Sequence, residues 1–74
     1  MEVGDPVILK NAQGLEMHNL KAGDIGMCNS IVNIPGCDEA YVYFMPQGTK
    51  RNYVIEASRV EVDEEAKEAG LDYM

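Results

Sequence analysis

Polar and apolar positions alternate with a period of two between Glu39 and Val62, and two polar breaks interrupt the alternation. Tyr41-Val42-Tyr43-Phe44-Met45 has the pattern of a strand, Pro46-Gln47-Gly48-Thr49-Lys50 that of a hairpin, and Asn52-Tyr53-Val54-Ile55 that of a returning strand. A polar step, Glu56-Ala57-Ser58, precedes a third strand, Arg59-Val60-Glu61-Val62. Successive strand side chains point to opposite faces, so Val42 and Phe44 share one face while Tyr41, Tyr43 and Met45 share the other. With Val54 inward beside Phe44, Tyr53 falls outward beside the other tyrosines, because hairpin partners meet across a short loop. The opposite register would make the tyrosines the core.

The first half of the chain is less regular. Val3-Gly4-Asp5-Pro6 predicts a turn into a first strand, Val7-Ile8-Leu9-Lys10, with Pro6 at the position where a missing donor costs least. Residues 11–19 form a polar loop turning at Gly14, and Leu20 plugs the core on its return leg. Gly23-Asp24-Ile25-Gly26 sets a glycine pair three apart at a bent strand start, where positive φ or close backbone approach is needed. Residues 27–34 continue that strand, their imperfect alternation predicting a bulge near Asn29-Ser30. Pro35-Gly36 has the residues of a type II turn. Asp63 to Ala69 is helical in character, with Asp63 as cap, acids in the first turn and Gly70 as the stop.

Together these elements predict an all-β fold: a small, partly open five-stranded SH3-like barrel over residues 1–62, then a short acidic helix or tail over 63–74. The strands fall near 6–10, 25–34, 40–45, 51–55 and 59–62. The expected core is Val7, Leu9, Leu20, Ile25, Val42, Phe44, Val54, Val60 and Val62. The helix has only two alanines as apolar groups before Leu71, Tyr73 and Met74, so it is either a solvated tail or one that orders on a partner.

Charge narrows the function. The 74 residues carry a net charge of −7, and the acids concentrate in Glu56, Glu61, Asp63, Glu64, Glu65, Glu68 and Asp72. Such a balance repels nucleic acid, whose phosphates are gripped by Lys and Arg, and it disfavours anionic membrane surfaces. No apolar run approaches the roughly 20 residues of a membrane span, and the acidic start Met1–Asp5 leads straight into a strand rather than a signal peptide. A cytoplasmic protein is expected.

Chemistry-bearing motifs are sparse. There is no hydrolase elbow, P-loop or Rossmann glycine pattern. His18 is the sole histidine and has no nucleophile at motif spacing, so it is expected to be a loop residue. Asp63-Glu64-Glu65 lacks the spacing of a calcium loop. Cys28 and Cys37 lack Cys-x-x-Cys spacing and basic neighbours; they are reduced thiols in a cytoplasmic chain, or a disulfide across the 30s loop in an oxidising one. The expectation is no enzyme, no metal and no cofactor.

Gly4-Asp5-Pro6-Val7, Gly23-x-x-Gly26, Val42-x-Phe44 and Ser58-Arg59-Val60-Glu61-Val62 together resemble the small SH3-like accessory proteins of photosynthetic complexes. These are the SH3-like accessory protein of photosystem I, the ferredoxin–thioredoxin reductase variable chain and the small SH3-like component of the NADPH dehydrogenase-like complex. The pattern, over residues 3–62, is also similar to KOW-type modules. The resemblance implies the barrel and a non-catalytic binding role, that of an accessory subunit or regulator docking on a larger protein complex.

The residues expected to make that contact are Tyr41, Tyr43, Met45 and Tyr53, with Lys50 and Arg51 from the hairpin and Met17 and His18 from the first loop. Cross-strand tyrosines are large, rigid and half polar, which suits an interface. The competing reading is an acidic inhibitor or nucleic-acid mimic, of the kind small phage proteins supply, which meets a basic host protein through Glu61 to Glu68 and loses it in salt.

Overall fold

The structure is a computed structural model that describes residues 1–70; residues 71–74 of the expected tail lie outside the described residues. Five antiparallel strands form one sheet: β1 (Pro6–Leu9), β2 (Ile25–Val32), β3 (Tyr41–Pro46), β4 (Tyr53–Glu56) and β5 (Val60–Val62), followed by the helix α1 (Glu64–Ala69). The strand order is β4-β3-β2-β1-β5. β4 and β5 are therefore its edges and are not paired with each other. Single turns of 3₁₀ helix occupy Glu16–His18 and Ala57–Arg59.

β2 organises the sheet. Its first residues pair with β1 (Val7 opposite Gly26), and the strand from Gly26 onward pairs with β3. The register slips between Cys28 and Ser30, at the expected bulge. The slip has a packing consequence. Cys28 lies opposite Phe44 and Ile31 opposite Val42, so both apolar side chains face the core although they stand three positions apart, an odd step that regular alternation would put on opposite faces. Pro35-Gly36 turns the chain toward β3, with Gly36 at φ 87° and the Cys37 N–H donating to the Ile34 carbonyl.

The core comprises Val7, Leu9, Leu20, Cys28, Val42, Phe44, Ile55 and Val60. Six of the nine expected members are in it. Val62 is half-buried against its edge, and Ile25 pairs with Ile8, half-buried, on the side of β1 and β2 opposite Val7. Val54 is a correction: it is 54% exposed, and Ile55 takes its place. Val54-Ile55 is an apolar doublet, so alternation alone leaves the choice open. The loop of residues 47–52 decides it by setting Phe44 opposite Tyr53 and Val42 opposite Ile55.

Through residue 70 the tail is a capped helix that touches the sheet through Ala66 and is otherwise exposed. Asp63 caps α1 by accepting the Ala66 N–H at 3.2 Å, Gly70 ends it at φ 72°, and Ala66 is buried. Asp5, 7% exposed, is the buried carboxylate beneath this join. It accepts the Glu2 N–H at 2.8 Å and lies 3.5 Å from the Lys67 ammonium. Removing it with Asp5→Ala leaves the Glu2 turn and Lys67 without their acceptor and should cost about 1–2 kcal/mol, whereas Lys67→Ala, at a half-exposed pair, should cost less than about 1 kcal/mol. Urea denaturation of both variants checks the order; the reverse order would mean that Asp5 does not fasten α1. Among the described residues no helix is long and apolar enough to cross a membrane.

Candidate functional site

The first loop is anchored at its base. Leu9 and Gly23 are linked by backbone bonds from the Leu9 N–H to Asp24 and from the Gly23 N–H to Leu9, both at 2.8 Å. Arg59 reaches over from the second 3₁₀ turn to donate to the Gln13 carbonyl at 2.6 Å and pairs with Glu56. Leu20 is drawn into the core, and Asn19, at φ 62°, turns the chain so that His18 precedes the buried leucine at the surface.

Opposite this loop stands the β3–β4 hairpin. The Gln47 N–H donates to the Ile25 carbonyl at 2.9 Å and prolongs the β2–β3 ladder by one step. Thr49 donates to the Pro46 carbonyl through both its N–H (3.1 Å) and its hydroxyl (2.9 Å), which closes the turn tightly. Between loop and hairpin lies an open cleft of about 770 Å³, lined by His18, Asp24, Ile25, Lys50, Arg51 and Tyr53 among others. The rings of His18 and Tyr53 lie 5.2 Å apart, tilted by 49°.

The expected contact set therefore divides in two. His18, Lys50, Arg51 and Tyr53 come together in the cleft. Tyr53 does not join Tyr43: it lies opposite Phe44, on the core side, for the reason that sends Val54 outward. Tyr41, Tyr43 and Met45 remain together on the outer face and gain companions that alternation in β3 alone did not name. Met27 pairs with Met45, Val54 with Tyr43, and Val32 with Tyr41. Met17, 82% exposed, stands beside His18 in sequence but does not line the cleft. Lys50 lines both surfaces, since a small apolar hollow formed with Met45, Gly48 and Thr49 lies on its other side.

Cys28 is buried and Cys37 exposed, both as free thiols. Burial first, and the Asp5 charge second, push the Cys28 thiol above its ordinary value, which makes it a packed core group and a poor nucleophile. The Tyr41 phenol is raised by the charge of neighbouring Cys37, then by burial and by Glu56. Among the described residues no three of His, Cys, Asp and Glu gather as a metal site. The chain matches no protein-family model, no curated protein and no solved structure.

Proposed function

We propose that the chain is a non-catalytic protein-binding module of SH3-like architecture, a small accessory subunit or regulator that docks on a larger protein. The observation that carries this reading is the outer face of β2, β3 and β4. Strand pairing gathers Met27, Met45, Tyr43, Val54, Tyr41 and Val32 there, with Val54 more than half exposed. Aromatic and Met side chains with few charges among them are the composition of an interface core. The architecture rests on the β4-β3-β2-β1-β5 order, the long first loop and the 3₁₀ turn before β5.

The test is affinity capture from the source cell with the intact chain and two sets of variants, followed by titration of the partner identified. Tyr43→Ala should weaken that partner by about 1–3 kcal/mol, and Val54→Asp should abolish capture, with both folds retained. Glu64→Gln with Glu65→Gln should change little, and capture should survive raised salt. The opposite result, loss with the acid variants or in salt while Tyr43→Ala still binds, replaces this reading with the acidic-mimic one.

A further inference from the structure

Lys50 and Arg51 are the only adjacent bases in a chain of net charge −7. Lys10, Arg59 and Lys67 each stand beside a carboxylate, on Glu61, Glu56 and Asp5 respectively. Among the described residues Lys50, Arg51 and the isolated Lys21 have no such partner, although acids outnumber bases 13 to 6, and only Lys50 and Arg51 stand together. The hydrogen bonds of Gln47 and Thr49 close the turn that leads into both, and both line the cleft. The acid that lines the cleft with them, Asp24, has one oxygen committed to the Lys21 N–H at 3.0 Å. Beside the bases are the paired rings of Tyr53 and His18, and Ile25 and Pro46 add apolar wall. Two unmatched cations next to an aromatic pair fit a ligand that carries carboxylates next to an apolar side chain.

We propose that this cleft binds an acidic, extended peptide segment of a protein partner, its carboxylates on Lys50 and Arg51 and a neighbouring aromatic or apolar side chain against Tyr53 and His18. The volume, about 770 Å³, lies within the usual range of ligand clefts, about 300–1,000 Å³. A peptide is favoured over a nucleic acid because its charge ends within a few residues. A longer polyanion would extend over a surface whose net charge repels it. The site adjoins the outer sheet face at Lys50 and otherwise draws on different residues. It gives the module a second contact of opposite character: charge-matched and salt-sensitive where the first is apolar.

The test follows backbone amides and the His18 ring by NMR on the intact chain. The probe is an acetylated, amidated peptide of sequence DEWDEL; the controls are NQWNQL and a short oligothymidylate. The acidic peptide should shift Lys50, Arg51, Tyr53 and the His18 ring. The neutral peptide should bind at least about tenfold more weakly, as should the acidic peptide to Lys50→Glu/Arg51→Glu and to the milder Lys50→Gln/Arg51→Gln. Raised salt should weaken it further. Val54→Asp should leave the titration unchanged, so failure here and failure of the outer-face reading are separable. Absence of these shifts at millimolar peptide, equal binding of the neutral peptide, or tighter binding of the oligothymidylate at the same residues would each overturn the proposal.

Discussion

Phe44→Ala should cost about 3–5 kcal/mol and leave the domain only marginally folded at room temperature. Phe44 is the only phenylalanine, is fully buried, and is the largest of the fully buried side chains. It sits in the middle of the inner row, with Cys28 opposite on β2 and Tyr53 opposite on β4. Its ring also covers Gly26, where β2 offers no side chain of its own. A cavity here is bounded partly by paired backbone, which cannot relax inward as side chains do, so little of the lost contact is recovered. A domain of this size has little reserve: it buries only about 60% of its unfolded surface, and stabilities of small domains start near 5 kcal/mol. Equilibrium urea unfolding followed by circular dichroism measures the loss. Val54→Ala is the internal control, because an exposed β4 position should change stability by less than about 0.5 kcal/mol. A Phe44→Ala protein within about 1 kcal/mol of the parent would mean that the sheet presents its other face to the core.

That control also marks where the sequence stops being readable. Alternation in β3 leaves two registers, with either Val42 and Phe44 or the tyrosines inward, and the structure takes the first. β4 offers Val54 and Ile55 side by side, and either parity buries one large apolar group. What selects Ile55 is the number of residues in the hairpin, a geometric quantity that no single residue type announces. The same parity carries Tyr53 to the cleft, so one unreadable loop length both misplaced a core residue and divided the candidate site. The turn and cap chemistry was legible because it is local: Gly36 at positive φ, Asp63 on the Ala66 N–H and Gly70 at the helix end each act within a few residues. The bulge at Asn29 was legible as broken alternation, though its effect, turning Ile31 inward, depends on the partner strand. Burial of Asp5 and Ala66 was not legible, since it arises where α1 meets β1, at opposite ends of the chain.

Gly26→Ala should be the most damaging single methyl in the protein, at about 2–3 kcal/mol. Gly26 has no positive φ, so its backbone would accept alanine; the obstacle is space. A Cβ there would overlap the Met45 carbonyl oxygen, fall 2.9 Å from the Met45 carbonyl carbon and come within 2.8 Å of Phe44 Cε1. Two of those atoms belong to the neighbouring strand's backbone, which can yield only by opening the β2–β3 ladder. Gly23→Ala is the informative comparison. Gly23 has φ 97° but nothing within 4 Å of a Cβ, so it should cost only the left-handed strain, about 1–2 kcal/mol. The two variants therefore weigh crowding against backbone strain at glycines three residues apart. Position 26 also bears on the cleft. It pairs with Pro46, and the next ladder bond, from the Gln47 N–H to the Ile25 carbonyl, is the one that seats the hairpin carrying Lys50 and Arg51. In Gly26→Ala, amide exchange at Gln47 should quicken along with the loss in urea stability, whereas Gly23→Ala should leave that amide protected relative to its own global stability. Equal stability of Gly26→Ala and the parent would show that the two strands do not approach as closely as the ladder requires.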